Sequence, residues 1–313
     1  MSQSPDQDQD GDRPDEWPSL HEEGWAETCA TVHMWSQIVG KVRLALAPPV
    51  NHWWHVALYV TARGLTTSPI PYRGGVFEIA FDFVDHQLTI DTSDGGHRSI
   101  ALVPQTVAEF YHLVMAALGG LGINVRIWPM PQEVPSPIRF DHDTQHGAYD
   151  ARLMHQFWRV LVDVDRVLKA FRGRFIGKCS PVHLFWGGFD LAVTRFNGKR
   201  TDAKANADPM NREAYSHEVT SAGFWPGFAP DMKAVFYAYA VPEPPGYKTA
   251  RAGPAAAFYS GELNEFLLNY DDLRVLPSRH DALLEFLQTT YEAGADLGNW
   301  NRAELEARAG KGR

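Results

Sequence analysis

Apolar and polar residues follow two distinct periods along this chain. From Gly24 to Val39, the residues Trp25, Cys29, Val32, Trp35 and Val39 recur at the spacing of one helix face, which predicts an amphipathic helix. The next stretch, GKVRLALAPP, changes period. Val42, Leu44 and Leu46 alternate with Lys41 and Arg43, the pattern of a strand. HVALYVTARG alternates in the same way. The clearest hairpin is VFEIAFDFVDHQLTIDTSDGG, where Phe77, Ile79, Phe81 and Phe83 share a face that Leu88 and Ile90 continue past a turn at Asp85-His86. Glu78, Asp82, Thr89 and Asp91 take the opposite face. A helix over TVAEFYHLVMAALGG follows, opened by capping-box spacing at Thr106 and Glu109 and closed by Gly119-Gly120.

The second half runs similarly. Asp150 is placed to cap a helix over ARLMHQFWRVLVDVDRVLKAF that stops at Gly173. GKCSPVHLFWGGFDLAVTRF then reads as a strand pair, followed by a polar loop from Asn197 to Asn211. AVFYAYAVPEPP and NEFLLNY read as strands, SRHDALLEFLQTTYEAG as a helix capped by Ser278, and a short helix starts at Asn301. These elements predict an α+β fold of antiparallel sheets with packed helices. Residues 17–148 and 149–307 share the order Gly-Lys, Pro, His beside Trp, and Val-Thr, which suggests two tandem halves forming one compact unit. Duplication would make His52 equivalent to His183 and Lys41 to Lys178; chance likeness between two α+β halves is the alternative.

Composition narrows the function. The chain has 313 residues and a formal charge of -9, with no basic stripe to neutralise phosphates, so nucleic acid is not the expected partner. No apolar run is long enough to span a bilayer, and the start lacks a basic stretch followed by an apolar one. Cys29 and Cys179 give no disulfide framework, so a cytoplasmic protein with reduced thiols is expected. Residues 1–16 form a polar, acidic segment expected to be a disordered tail, and 308–313 are expected to fray.

Candidate chemistry gathers in the run from Gly177 to Phe196. Cys179, beside Lys178 and four residues before His183, has the neighbours of an activated thiol, although a buried free cysteine is the ordinary alternative. His183, His217 and Glu218 supply the ligand types of an open divalent transition-metal site, but on a regular strand His217 and Glu218 would point to opposite faces. Lys41 and Arg43, with Lys178 and Arg195, could converge on a carboxylate or phosphate; pairing with Glu78, Asp82 and Asp91 on a solvated face is the alternative. SAGFWPGFAP, carrying Phe224, Trp225 and Phe228, reads as an aromatic loop able to roof a pocket or to plug the end of a sheet. Tyr215 and His217 lead into it.

GKCSPVHLFWGGFDLAVTRF, EAYSHE, GFWPG and NHWW…TTSPIP together resemble a bacterial family of uncharacterised proteins, a domain of unknown function, from about Trp17 to Leu305. The resemblance implies no activity. It places His33, Lys41, Arg43, His52, Thr67, Asp82, His86, Lys178, Cys179, His183, Asp190, Arg195, Tyr215, His217 and Glu218 in family motif blocks, and the Asn197–Asn211 loop outside them. The expected function is an enzyme acting on a small polar or anionic molecule. Lys178, Cys179 and Tyr215 are its candidate catalytic residues, and Lys41, Arg43, His52, Arg195 and Trp225 its ligand contacts. His183, His217 and Glu218 are the candidate ligands of a metal cofactor. The alternative is a non-catalytic binding protein for a small anion.

Overall fold

The computed structural model describes residues 17–227 and 233–307; both tails and Phe228 lie outside them. The first long helix, α1 (Trp25–Leu46), runs through the interior and is buried on nearly all sides from Trp25 to Arg43. This overturns the expected strand at Lys41–Leu46. A helix buried all round shows no single apolar stripe, so the alternation of KVRLAL imitated a strand's period within it.

After a 3₁₀ turn at Asn51–Trp53 come β1 (Tyr59–Val60), β2 (Gly64–Thr66), β3 (Ile70–Tyr72), β4 (Gly75–Asp82), β5 (Gln87–Thr92) and β6 (His97–Ala101). They form an antiparallel sheet of order β1-β2-β4-β5-β6, with β3 also on β4. The expected hairpin is β4–β5, pairing Phe81 with Leu88 and Ile79 with Ile90, and Phe77, Ile79, Phe81 and Phe83 are buried. Helix α2 (Val107–Gly120) closes this half, with both arms of its Thr106–Glu109 capping box formed.

Helix α3 (Ala151–Gly173) opens the second half, and Asp150 accepts the Leu153 amide as its cap. Next come β7 (His183–Phe185), β8 (Asp190–Arg200), α4 (Pro209–Ala214), β9 (His217–Trp225), β10 (Val235–Val241), β11 (Phe258–Ser260) and β12 (Glu265–Asn269). The second sheet has the order β11-β12-β10-β9-β8-β7. Helices α5 (Tyr270–Arg274), α6 (Arg279–Leu297) and α7 (Arg302–Leu305) end the described chain. Ser278 precedes α6, but its side chain makes no capping bond.

Each half is thus a long helix, a six-stranded antiparallel sheet and a closing helix, as tandem halves require. Reciprocal backbone bonds between Leu58 and Leu184, both 2.8 Å, join the sheets edge to edge. Local equivalence is looser than expected. His52 sits in a 3₁₀ turn whereas His183 sits in β7, and Lys41 is helical whereas Lys178 is not. In the second sheet Leu191, Val193, Phe224, Phe236 and Leu268 are buried in the core. Strand alternation turns the intervening residues to the other face.

Candidate functional site

That other face is the floor of a cleft of about 870 Å³, within the usual range for small-molecule sites. Strand β8 contributes Asp190, Ala192, Thr194 and Phe196, β10 contributes Tyr237 and Tyr239, and β12 contributes Glu265. Trp53, Trp54, Trp186 and Trp225 form aromatic walls, with Glu133 and α4 completing the rim.

The floor is tied together across strands. Tyr237 lies on β10 and Asp190 on β8, with β9 between them, yet the phenol donates to the Asp190 carboxylate. Gly223 makes this reach available: it pairs with both Ala192 and Tyr237, and a Cβ there would fall 2.5 Å from the Tyr237 Oη. Nearby, the Tyr215 and Tyr239 hydroxyls meet at 2.7 Å, and the Thr194 and Ser221 hydroxyls at 2.9 Å. The walls are fixed from behind. Trp186 donates through Nε1 to the Val56 carbonyl at 2.8 Å, and its ring packs so closely on Gly40 of α1 that no Cβ fits there. Nε2 of the buried His33 lies 3.0 Å from the Trp186 carbonyl and 2.8 Å from that of Gly187, and Trp225 Nε1 donates to the Gly188 carbonyl at 3.0 Å.

The electrostatics of the cleft are acidic. Burial raises the Asp190 carboxyl to about 6, against the Tyr237 hydrogen bond and with help from nearby Glu133. Burial and the neighbouring Asp190 raise Glu265 to about 7. Glu133 is raised as well, by burial and then by Asp208. A point in the space beside Gly188 lies 3.1 Å from Asp190 Oδ1 and 3.3 Å from Glu133 Oε2, so these two carboxyls flank the same small volume. None of the three carboxyls pairs with a lysine or arginine among the described residues. The rim also holds left-handed backbone at residues other than glycine: His52 (φ 59°), Trp53 (φ 63°) and Glu133 (φ 56°). Backbone in this region is costly and concentrates where side chains are held for a purpose.

The structure divides the expected site residues. His52, Tyr215 and Trp225 line the cleft. Lys178 is exposed and does not itself line it, but touches three residues that do: its Nζ donates to His52 Nε2 at 2.7 Å and lies 5.0 Å from the Phe196 ring and 5.5 Å from the Trp54 ring. Lys41, Arg43 and Arg195 do not line it. Lys41 is 3% exposed, with its ammonium 5.5 Å from the Trp186 ring, and burial lowers it to about 8. Arg43 donates to the Ala57 carbonyl and lies over Tyr59. Arg195 is caged by Phe171, Tyr291 and Phe175 and donates to the Phe171 carbonyl. These three side chains point into the core, so the expected convergence of cations on one anion does not form.

Nor do the expected metal ligands meet. His183 pairs with Ala192 and His217 with Arg200, which places the two histidines about 25 Å apart along β8. Glu218 accepts instead from Asn197 at 2.5 Å, and among the described residues no three His, Cys, Asp or Glu side chains are arranged to hold a metal ion. His183 is fully buried against Phe185 and is lowered to about 3 by burial and by Arg43. Phe224 and Trp225 belong to β9, and Phe224 is core against Phe236 and Tyr270, so only Trp225 reaches the cleft. Burial raises the Cys179 thiol to about 11 despite Arg195 and Arg172, which leaves it protonated at neutral pH and a poor nucleophile.

Reading the sequence for a site missed Glu133, Tyr237, Tyr239 and Glu265. Alternation in VFYAYAV did carry a signal, because it sets two phenols on one strand face against Phe236, Ala238 and Ala240 on the other. Glu133, on an irregular segment, had none.

A family model described as a family of unknown function (DUF5996) matches residues 17–307, and the chain belongs to that family. Comparison with curated proteins and with solved structures gives no match. No described helix is long and apolar enough to cross a membrane.

Proposed function

We propose that this DUF5996 protein takes up a small molecule bearing a protonated amine in the cleft and exchanges a proton with it at Asp190. The observation that carries the reading is the set of three carboxyls, Asp190, Glu133 and Glu265, facing one aromatic-walled space with no ion pair to a lysine or arginine among the described residues, the lining Lys204 lying instead by the Tyr215 ring. An ammonium group would supply the missing positive charge, and the indole and phenol faces would favour it further. A carboxyl held near neutrality is also suited to both giving and taking a proton. Asp190 is the best placed of the three, because Tyr237 fixes its orientation. This narrows the expected small polar or anionic molecule to one that is polar and cationic.

The test is calorimetric titration with benzyltrimethylammonium, benzyl alcohol and benzoate, on the wild type and on Asp190→Asn. The ammonium should bind tightest, and the substitution should weaken it about ten-fold or more, the equivalent of about 1.4 kcal/mol. Tighter binding of benzoate would reject the reading. Incubation with a panel of primary amines, followed by mass spectrometry, then separates an enzyme from a binding protein. Product formed by wild type and lost in Asp190→Asn supports catalysis. Binding without turnover leaves a non-catalytic amine-binding protein.

A further inference from the structure

The cleft differs in charge along its length. The β8 residues facing it run from Asp190, beside Glu133, to Phe196, whose ring lies 4.5 Å from that of His52. At the rise of a β-strand this row is about 20 Å long. The Phe196 end is basic. Lys178 stands there against Trp54 and Phe196, the His217 ring lies 5.7 Å from the His52 ring, and Arg200 pairs with His217 across the strands.

The proton positions at this end follow from its partners. His52 Nδ1 lies 3.2 Å from both the Glu213 and Ala214 carbonyls, which can only accept, so Nδ1 carries the hydrogen. Nε2 is then the acceptor for the Lys178 ammonium. The bond to His52 uses one of the three ammonium hydrogens, and Lys178 is exposed, which leaves the remaining two to a partner from outside. Among the described residues Lys178 has no ion pair with a carboxylate. The charges that reach His217 are those of Lys178 and Arg200, both positive.

From this juxtaposition we infer that the cleft accepts an elongated bipolar ligand, its amine at the Asp190–Glu133 end and a carboxylate at Lys178 beside His52. The inference rests on the amine reading above and extends it to the ligand's other end. A carboxylate suits this end because the Lys178 ammonium keeps hydrogens to donate and His52 is held neutral by its partners, while the cleft's other ammonium, Lys204, lies 5.8 Å from the Tyr215 ring. The span corresponds to about five or six residues of extended peptide, at no more than ~3.6 Å each.

Peptides of alternating glycine and serine, two to six residues long, test the assignment when each is titrated as the free acid and as the C-terminal amide. The acid should bind about ten-fold more tightly than the amide at five and six residues and no better at two or three. Lys178→Gln should bring the long acids down to the affinity of the amides, and Lys178→Arg should keep most of the advantage. Equal binding of acid and amide at every length, with benzyltrimethylammonium still bound, would overturn the bipolar ligand and leave the amine reading in place. So would binding of neither peptide form while benzyltrimethylammonium still binds. Loss of benzyltrimethylammonium binding itself would remove both.

Discussion

Asp82 on the first sheet and Asp190 on the second begin alike, as carboxylates set on strands whose other face is core, and end with opposite chemistry. Burial opposes ionisation at both. At Asp82 the Arg63 guanidinium at 2.6 Å and the amides of Val84 and Asp85 outweigh it, and the carboxyl sits below the usual range. At Asp190 the compensation is one phenol and its own backbone amide, and the charges that act on it are carboxylic, so the group sits well above that range. A fold satisfies a structural carboxylate with its own donors. Leaving one short of positive charge in an open cleft points to a partner from outside.

The comparison can be broken at either sheet, starting with the largest effect. Phe81→Ala removes a ring that is 2% exposed in the first sheet and should cost about 3–5 kcal/mol in denaturant unfolding. A loss well below that would mean the Phe77–Phe83 row is not the core face. Asp190→Asn should instead stabilise the ligand-free protein. Its folded pKa of about 6 lies above the ordinary aspartate value of 3.8, so stability from this group falls as pH rises through that window, by about 3 kcal/mol in all. The gain should therefore be large at pH 8 and close to nothing at pH 4.

Gly223→Ala should cost about 1–3 kcal/mol by overpacking and, by displacing Tyr237, should weaken amine binding as well; melting curves and titration read the two effects separately. Asp82→Asn should do the reverse of Asp190→Asn, destabilising by about 1–2 kcal/mol at pH 7 through loss of the Arg63 contact. Because that carboxyl's folded pKa is depressed, its contribution is present above the unfolded value and is lost as pH falls through the folded one. If the two substitutions shift stability in the same direction, the contrast between the sheets fails.

Much of the fold was legible because its signals are local. The Phe77–Ile90 alternation, the Thr106–Glu109 box and the Asp150 cap each lie within a few residues and appear as expected. Helix α1 was misread beyond Val39 because its polar residues Lys41 and Arg43 are buried too, which erases the amphipathic contrast that marks a helix end. The site was harder to read. Density of polar residues in the Gly177–Phe196 run pointed to the right strand, and Asp190 lies on it. The run's most reactive types were misleading, however, because His183 and Arg195 are absorbed into the interior and Cys179 is half-buried against it. The carboxyls of Asp190, Glu133 and Glu265 come from three separate segments, and only the pairing of β8 through β12 and the strained turn at Glu133 bring them together.

The central claim, that Asp190, Glu133 and Glu265 have no ion-pair partner among the described residues and take one from the ligand, is tested most directly by counting protons on binding. Benzyltrimethylammonium holds a fixed charge, so any proton exchanged must come from the protein or go to it. Calorimetry at pH 6.5 in two buffers of different ionisation enthalpy gives the number. A bound cation favours the ionised carboxyls, so the account predicts release of about one proton at pH 6.5, shrinking toward none by pH 9. Binding with no proton released at pH 6.5, or with protons taken up, would contradict it.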